Sequence, residues 1–296
     1  MERIGFIGLG IMGKPMAKQL LAAGCEMLAF DIDNAALADV VAAGATASTP
    51  SEIGRKCKYI FTILPNGDIV KNVLFAKDGV CEGLQSGSIV VDMSSVTPTE
   101  SIYCAQELQK KQILFIDAPV SGGEPKAIDG TLAFMAGGER QAFEQILPYF
   151  DIMGSSAMLV GKNGSGSTTK LANQIIVNMT IAAVSEAFVL AAKAGVDLQK
   201  VYEAIRGGLA GSAVLDAKAP MMIARDFKPG GKISINHKDI KNVMNTAHDM
   251  DVPLPLTAQL YEVMQYLKVH GHMDDDHSGI VQYFEMLADV TVGKEG

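Results

Sequence analysis

The first half of the chain alternates short apolar runs with segments of helical periodicity. Seven runs rich in β-branched and aromatic residues predict strands, at residues 3–8, 26–30, 59–64, 88–93, 113–119, 131–137 and 157–161. Most of these runs are almost continuously apolar, which is typical of strands that helices cover on both faces. The alternation of strands and helices therefore predicts an α/β domain built on a doubly wound parallel sheet.

Helical periodicity takes over after about residue 163. It predicts helices, with no further strand, at 167–194, 197–207, 213–225, 236–250, 254–270 and 278–291, and the breaks between them fall at glycine and proline. We therefore expect two domains, an α/β domain over residues 1–163 and an all-α domain over residues 164–296. In the first domain, capping boxes at 49–52 and 97–100 predict two of the helix starts.

Composition narrows the class of protein. The 296 residues are 48% apolar with a net charge of −8, which indicates a globular chain and argues against a nucleic-acid partner. The four cysteines show no C-x-x-C spacing and predict reduced thiols. The start lacks the apolar region of a signal peptide, and polar residues interrupt the longest apolar stretch, 175–192. We expect a buried helix there, no membrane partner and a cytoplasmic location.

A glycine motif stands where the first predicted strand meets the first helix. The stretch GFIGLGIMG has the spacing G-x-G-x-x-G. In a Rossmann-like fold the first glycine allows a tight turn, the second lets the backbone approach a pyrophosphate, and the third lets helix and strand pack closely. The amides of the helix start then attract the phosphates. The predicted dinucleotide site is this loop: Gly8, Leu9, Gly10, Ile11, Met12 and Gly13.

Asp31 follows the second predicted strand, about twenty residues beyond the glycines, where a dinucleotide fold places an acceptor for the ribose hydroxyls. Its carboxylate would repel a 2′-phosphate, and no arginine follows it in FDIDNAA. We therefore expect NAD(H) to be the preferred cofactor, with NADP(H) as the alternative.

Ligands of open α/β sheets bind at the carboxyl ends of the strands, so residues just past the predicted strands are candidates for the site. They are Leu64, Pro65, Ser94, Ser95, Thr97, Ser121, Gly122 and Gly123. For Ser94 and Ser95, hydrogen bonding within an ordinary turn is the alternative that the sequence leaves open.

A lysine lies near the predicted start of the long helix that opens the second domain, in GSGSTTKLANQ. Positive charge is unfavourable there, because the helix dipole is positive at that end. Lys170, Asn173 and Gln174 have i, i+3, i+4 spacing and share one face, which we expect to look into the crevice between the domains. The dipole and partial burial would disfavour the ammonium and make Lys170 a readier proton donor to an alkoxide. A solvated surface lysine is the alternative.

Four motifs occur in order along the chain: GFIGLGIMGKPMA at 5–17, DAPVSGGEPKAIDGTL at 117–132, GSGSTTKLANQ at 164–174 and NHKD at 236–239. With them the chain resembles the β-hydroxyacid dehydrogenase family over essentially its whole length. Within the family it is most similar to the tartronate semialdehyde reductase branch, in the stretches SGGEPKAIDGTL (121–132), AIRGGLAGSAVLDAKAP (204–220) and DDDHSGI (274–280). The resemblance implies an oxidoreductase that transfers a hydride between NAD(H) and a short β-hydroxy acid or semialdehyde. Reduction of tartronate semialdehyde to glycerate is the reaction implied by the branch.

The resemblance also implies roles for individual residues. Lys170 is expected to be the general acid/base. The substrate carboxylate is expected at Ser121, Gly122 and Gly123, with Asn173 and Gln174 nearby. The residues expected at the cofactor are Gly8 to Gly13, Asp31, Leu64, Pro65, Ser95, Thr97 and Lys238, the last supported by Asp239. The implied partners are a small carboxylate-bearing aldehyde or hydroxy acid and further copies of the chain, in a homodimer or homotetramer formed through the helical domain.

The chain departs from the family pattern at two positions. Gly231 stands where many relatives have an aromatic residue, and His237 stands where an apolar residue is usual. Both are expected to reshape the substrate end of the pocket. The loop GHMDDDH at 271–277 resembles a metal site, but we expect no metal and a loop that caps the next helix through Asp276 or Ser278. Hydride transfer with a lysine as proton donor needs no metal.

Other functions remain open on the sequence alone. One alternative of the same class is a 3-hydroxyisobutyrate dehydrogenase or a succinic semialdehyde/4-hydroxybutyrate dehydrogenase. An alternative of another class is a dinucleotide-binding module without catalysis. The presence of both Lys170 and Asn173 favours an enzyme over that module.

Overall fold

A computed structural model describes residues 2–293 of the chain. The chain divides into two compact units, and the division falls between Lys170 and Leu171. This point lies inside a long helix, a little beyond the boundary expected at 163/164.

The first unit contains the strands β1 (Ile4–Ile7), β2 (Met27–Phe30), β3 (Thr46–Ala47), β4 (Tyr59–Thr62), β5 (Ile89–Asp92), β6 (Leu114–Asp117), β7 (Val120–Ser121), β8 (Leu132–Gly138) and β9 (Gly154–Gly161). Its helices are α1 (Gly13–Ala22), α2 (Asn34–Ala42), α3 (Pro50–Lys56), α4 (Gly67–Phe75), α5 (Pro98–Gln109), α6 (Gly123–Ile128), α7 (Arg140–Met153) and the start of α8 (Ser165–Lys193), with a 3-10 helix at Val80–Glu82. All seven predicted strands are confirmed. The two-residue strands β3 and β7 were not predicted.

The strands form one sheet in the order β3-β2-β1-β4-β5-β6-β8-β7, with β9 beside β8. The strands from β3 to β6 are parallel, and the order reverses at β1 and β4, so the α/β fold class is confirmed. The sheet departs from a wholly parallel one at β8, which is antiparallel to both β6 and β7. Only Ala118 and Pro119 separate β6 from β7, so the single strand β8 pairs with both.

Both faces of this sheet are buried. In β1, Ile4 and Phe6 face a core that includes residues of α1, α2 and α7, whereas Ile7 faces a second core with residues of α3, α4 and α5. Alternate residues of β2, β4 and β5 divide between the same two cores. This two-sided burial explains why the strands are almost continuously apolar in sequence.

The second unit contains the remainder of α8 together with α9 (Leu198–Ile205), α10 (Ala213–Ala224), α11 (Ile233–Asp249), α12 (Pro255–Val269) and α13 (Val281–Ala288), and a 3-10 helix at His277–Ile280. Between residues 171 and 293 the structure describes no strand, in agreement with the predicted all-α character. Its core includes Ile181, Phe188, Met222, Ile240 and Met264.

The helix α8 is long and apolar enough, by length and composition alone, to cross a bilayer. These criteria are weak, because core helices also meet them. Leu171, Ile181 and Phe188 are buried in the second unit, whereas Ile176 and Leu190 are 67% and 73% exposed. The expectation of a buried helix therefore holds for one face of α8.

Candidate active site

The glycine loop follows the carboxyl end of β1, beside β4, where the strand order reverses. Gly8 has a φ of +97°, and a side chain there would collide with the carbonyl oxygen of Ile63. A side chain at Gly13 would collide with the carbonyl oxygen of Gly8. By contrast, apart from its own chain neighbours, no described residue has an atom within 4 Å of the position that a side chain at Gly10 would take. The loop is tight at both ends and open at its centre, which fits the close approach of a pyrophosphate.

The start of α1 is open to an anion. In the described part of the chain no side chain caps this end, and the first turn of α1 holds no acidic residue. The side chains of Asp33, Asn66 and Thr97 cap α2, α4 and α5. The amides and the positive dipole end of α1 are therefore available to negative charge.

Asp31 lies beside this loop, just past the end of β2. One of its carboxylate oxygens accepts a hydrogen bond from the Leu9 amide, and the other accepts one from the Asp33 amide at 2.8 Å. Asp31 is half-buried, and each oxygen keeps a lone pair that can accept from a hydroxyl group. The structure thus brings the residue predicted to bind ribose to the loop predicted to bind phosphate.

Ser94 ties the end of β4 to the end of β5. Its hydroxyl accepts a hydrogen bond from the Leu64 amide at 2.8 Å and donates one to Asp92. Asp92 also accepts from the Thr62 hydroxyl at 2.8 Å, and burial raises the pKa of this carboxyl to about 6. Local turn hydrogen bonding, the alternative left open for Ser94, is therefore what this side chain does. It also fixes Leu64, which precedes Pro65 in the predicted cofactor site.

Thr97 caps α5 two residues after Ser95. Its hydroxyl accepts from the Glu100 amide at 3.3 Å and donates to the Glu100 carboxylate at 2.9 Å, and that carboxylate accepts from the Thr97 amide at 3.0 Å. The capping box predicted at 97–100 is confirmed. The donor of this hydroxyl is already used, so only its lone pairs remain for a ligand.

Ser121, Gly122 and Gly123 form the turn from β7 into α6. Gly122 and Gly123 have φ values of +140° and +70°, which glycine adopts without strain. Ser121 is half-buried at the end of a strand that pairs with β8. A hydroxyl and the backbone amides of such a turn can bind a carboxylate.

A buried carboxylate that sequence reasoning missed holds the start of α8. Asp117, the last residue of β6, accepts hydrogen bonds from the Gly164 amide at 2.8 Å and the Ser167 amide at 2.9 Å. Burial raises its pKa to about 6, although these hydrogen bonds act in the opposite direction. The Ser167 hydroxyl also lies 2.8 Å from the Ser101 hydroxyl of α5. The helix that carries Lys170 is therefore attached to the carboxyl edge of the sheet.

The charge of Asp117 alters the electrostatic environment expected for Lys170. The sequence indicated that the helix dipole at the start of α8 disfavours the Lys170 ammonium. The Asp117 carboxylate lies at that end of α8 and, when ionised, offsets the dipole. Lys170 follows Ser167 by three residues, so the two share a helix face, and Lys170 is half-buried.

Asn173 and Gln174 lie further along α8, in the second unit. The buried Gln174 donates from its amide nitrogen to Asp239 at 2.7 Å and to Asn236 at 3.3 Å. Its amide oxygen accepts from Asn173 at 3.1 Å. Asp239 also pairs with the Lys238 ammonium at 3.1 Å. These contacts engage Gln174 with α11, and they hold the Asn173 amide.

His237 packs against α12. Its Nε2 lies 2.9 Å from the Gln265 side-chain oxygen, and its ring stacks on Tyr261 with 4.9 Å between the centroids. Burial lowers the pKa of His237, against the opposing hydrogen bond to Gln265. A neutral, hydrogen-bonded imidazole can therefore take the place of the apolar residue that is usual here.

Asp276 organises the polar loop at 271–277. Its carboxylate pairs with the Lys218 ammonium at 2.9 Å and accepts from the amides of Gly230 and Gly231, each at 3.0 Å. It also accepts from the Ser278 amide at 2.9 Å, which confirms that Asp276 caps the helix that follows. Burial acts to raise the pKa of Asp276, but nearby positive charge and these hydrogen bonds hold it below its ordinary value. Within residues 2–293 no group of three or more His, Cys, Asp and Glu side chains could hold a metal ion.

Two family descriptions match the two parts of the chain. Residues 3–161 match the NAD binding domain of 6-phosphogluconate dehydrogenase. Residues 164–284 match the segment described as NAD-binding of NADP-dependent 3-hydroxyisobutyrate dehydrogenase. Together the matches include the glycine loop, the Ser121 turn and Lys170.

Individual proteins are similar over nearly the full length. The 2-hydroxy-3-oxopropionate reductase of Escherichia coli (strain K12) is 39% identical, with 97% of this chain and 98% of that protein covered. The 2-(hydroxymethyl)glutarate dehydrogenase of Eubacterium barkeri is 36% identical, with 98% and 97% covered. A crystal structure of 3-hydroxyisobutyrate dehydrogenase from Salmonella typhimurium has a TM-score of 0.84 and 29% identity, with 95% of this chain and 99% of that chain covered.

Proposed function

This chain belongs to the β-hydroxyacid dehydrogenase family, and on that basis we propose that it reduces tartronate semialdehyde to glycerate with NADH. Members of this family are NAD(P)-dependent oxidoreductases that act on small hydroxy acids or semialdehydes. The choice of substrate is supported by the 39% identity to a 2-hydroxy-3-oxopropionate reductase over 97% of the chain.

The observation that carries the proposal is that three features follow the carboxyl ends of strands in the first sheet. The glycine loop follows β1, the Ser121 turn follows β7, and Asp117 at the end of β6 holds the start of the helix with Lys170. A phosphate-binding loop, a carboxylate-binding turn and a proton donor are the three components that reduction of a carboxylated aldehyde requires.

The proposed chemistry divides among these components. When bound, the reduced nicotinamide supplies a hydride to the aldehyde carbon. The Ser121 hydroxyl and the amides of Gly122 and Gly123 hold the substrate carboxylate. The Lys170 ammonium donates a proton to the carbonyl oxygen as the π electrons move onto it, which forms the product hydroxyl. Water then returns a proton to the amine. Asn173, one turn beyond Lys170, orients the substrate.

Asp31 supports NADH as the preferred cofactor. Its carboxylate accepts from the Leu9 amide, beside the loop proposed to bind the pyrophosphate, where a 2′-phosphate would meet negative charge. Initial rates with NADH and NADPH at equal low concentration test the preference. Faster turnover with NADPH would refute it.

Two further features of the proposal concern assembly and compartment. The exposed face of α8 carries Ala172, Ile176, Ala183, Ala187 and Leu190, and we assign it to contacts between copies in a homodimer or homotetramer. We place the enzyme in the cytoplasm, which keeps thiols reduced, because the spacing of its four cysteines predicts reduced thiols and all four are buried.

A parallel assay of semialdehydes tests the substrate. With NADH, we expect the highest kcat/KM for tartronate semialdehyde and lower values for succinic semialdehyde and methylmalonate semialdehyde, the aldehyde form of 3-hydroxyisobutyrate. A higher value for methylmalonate semialdehyde would instead make the chain a 3-hydroxyisobutyrate dehydrogenase. No turnover with any of them, alongside tight NADH binding, would favour the dinucleotide-binding module.

Lys170→Ala tests the mechanism. We expect kcat to fall by roughly 10²–10⁴, the usual contribution of a placed general acid, with NADH binding retained. The matched control is Lys162→Ala, which removes an exposed lysine shortly before α8 and should leave kcat unchanged. Turnover like that of the wild type in Lys170→Ala would remove this residue from the mechanism.

A further inference from the structure

We infer that Asp117 is a positioning residue for Lys170: through its hydrogen bonds to the Gly164 and Ser167 amides it fixes the place from which the lysine donates its proton. The inference rests on the proposed role of Lys170 as general acid. Asp117 itself touches neither substrate nor cofactor in this account.

The hydrogen-bond geometry limits how α8 can move. Gly164 immediately precedes α8 and Ser167 lies in its first turn, and each of their amides uses a different oxygen of one planar carboxylate. Two bonds to points three residues apart restrain both the translation and the rotation of the helix start. Because Lys170 belongs to the next turn, a shift at the helix start is passed on to its amine.

Close packing removes the space in which this contact could relax. Asp117 is 1% exposed. A side chain at Gly137 would approach its Oδ1 to 2.8 Å, and a side chain at Gly166 would approach its Oδ2 to 2.9 Å. The Asn163 amide group also donates to the Phe115 carbonyl of β6 at 2.7 Å, which holds the chain just before α8.

The neighbouring strand supplies a matched carboxylate. Asp92 is the register partner of Asp117 on β5 and is also 1% exposed. Its hydrogen bonds in the described part of the chain go to Thr62 and Ser94, and Ser94 in turn holds Leu64. A variant that removes the Asp92 charge therefore loses a buried carboxylate, as the Asp117 variant does. Its effect should fall on the proposed cofactor site instead of on the start of α8.

The experiment compares Asp117→Asn with Asp92→Asn in the full-length enzyme. It measures kcat, KM, the Kd of NADH and hydrogen exchange of the peptide that covers residues 164–170. Asparagine keeps the shape but has one acceptor oxygen, so it can serve only one of the two amides. In Asp117→Asn we expect kcat to fall roughly 10- to 100-fold, the size expected for a misplaced catalytic group, with faster exchange in 164–170 and NADH Kd within about twofold. In Asp92→Asn we expect the Kd of NADH to change more than kcat.

A second pair of variants keeps the carboxylate and removes its partner. Ser167→Pro deletes the amide hydrogen in the first turn of α8, where proline is tolerated, and Ser167→Ala deletes only the hydroxyl. We expect kcat to fall further in Ser167→Pro than in Ser167→Ala. This pair decides the question if Asp117→Asn does not fold.

Three results would overturn the inference: wild-type kcat in a folded Asp117→Asn, an equal fall of kcat in Asp92→Asn, or equal kcat in the two Ser167 variants. The double variant Asp117→Asn/Lys170→Ala should be no more than about twofold slower than Lys170→Ala, because non-additivity shows that two residues act together. Wild-type turnover in Lys170→Ala would end the proposed function. Faster exchange of 164–170 in Asp117→Asn would still support the structural contact in that case.

Discussion

Two helix starts at the same edge of the sheet solve one physical problem in different ways. Every helix start has amides without partners and a positive dipole end. In α1 no described side chain caps these groups, and the glycine loop keeps the space beside Gly10 open. In α8 the buried carboxylate of Asp117 takes up the amides of Gly164 and Ser167. The first start suits an anionic ligand, whereas the second is fixed by the protein itself.

Each arrangement suits a different function. A start without an internal partner binds best when a ligand brings the charge, so it suits a cofactor that must bind and leave. A start with an internal carboxylate needs no ligand and stays in one place, so it suits a side chain whose position must be the same in every turnover.

The largest effect is expected from closing the loop at α1. Gly13→Val introduces a side chain against the Gly8 carbonyl and should destabilise the fold by about 3 kcal/mol, with loss of NADH binding. Gly10→Ala is the matched variant, because its added methyl group points into open space. We expect it to keep the wild-type melting temperature but to bind NADH roughly tenfold more weakly, or about 1.4 kcal/mol. Equal melting temperatures in both variants would contradict the tight packing at Gly13.

The second effect is a pH dependence of stability that belongs to the start of α8. The pKa of Asp117 is raised to about 6 by burial, so the folded chain binds its proton more tightly than the unfolded chain. Its contribution to stability is greatest below the ordinary aspartate pKa and is lost as the pH rises through about 6. The unfolding free energy of the wild type minus that of Asp117→Asn should therefore fall, by on the order of 2 kcal/mol, between about pH 4 and pH 7. Urea titrations across this range measure it, and a difference that rises with pH would contradict the assignment.

A smaller effect is expected from adding charge at the start of α1. Ile11 is 42% exposed in the glycine loop. Ile11→Asp places a carboxylate where the phosphates are proposed to bind and should weaken NADH binding roughly fivefold relative to the neutral Ile11→Asn. The difference should shrink as salt is added. Titration of NADH at two ionic strengths measures it, and equal affinity of the two variants would show that this end does not bind the phosphates.

The smallest effect concerns an ordinary capped start. Thr97→Ala removes the side-chain half of the capping box of α5 and should lower the free energy of unfolding by about 1 kcal/mol. Thr97→Ser keeps the hydroxyl and should recover most of that loss. Urea titration of the two variants measures the difference, and equal stability would mean that the cap contributes nothing.

The sequence was sufficient for features that depend on nearby residues. Apolar runs predicted the seven longer strands, and the glycine spacing predicted a loop whose packing agrees with the expected roles of Gly8 and Gly13. The capping box at 97–100 is confirmed. At 49–52 only half of it forms, because Glu52 bonds to Ser48 and Lys56 instead of to the backbone.

Features that depend on distant residues could not be predicted. Asp117 meets its two amides 47 and 50 residues further along the chain, and no local pattern indicates that pairing. The antiparallel direction of β8 depends on its pairing with both β6 and β7, which a local pattern does not indicate. Strands of two residues, such as β3 and β7, are too short to give a periodic signal. The contacts of Gln174 with Asn236 and Asp239 have the same origin, because three-dimensional packing brings α11 to α8.

The most direct test of the central claim is chemical rescue of proton transfer. The variant Lys170→Ala is assayed for reduction of tartronate semialdehyde by saturating NADH while a small primary amine such as methylamine is added in increasing concentration. The account predicts slow turnover without the amine, a rate that rises with the concentration of its protonated form, and no rise in Lys162→Ala. Turnover at the wild-type rate in Lys170→Ala without any amine would contradict it.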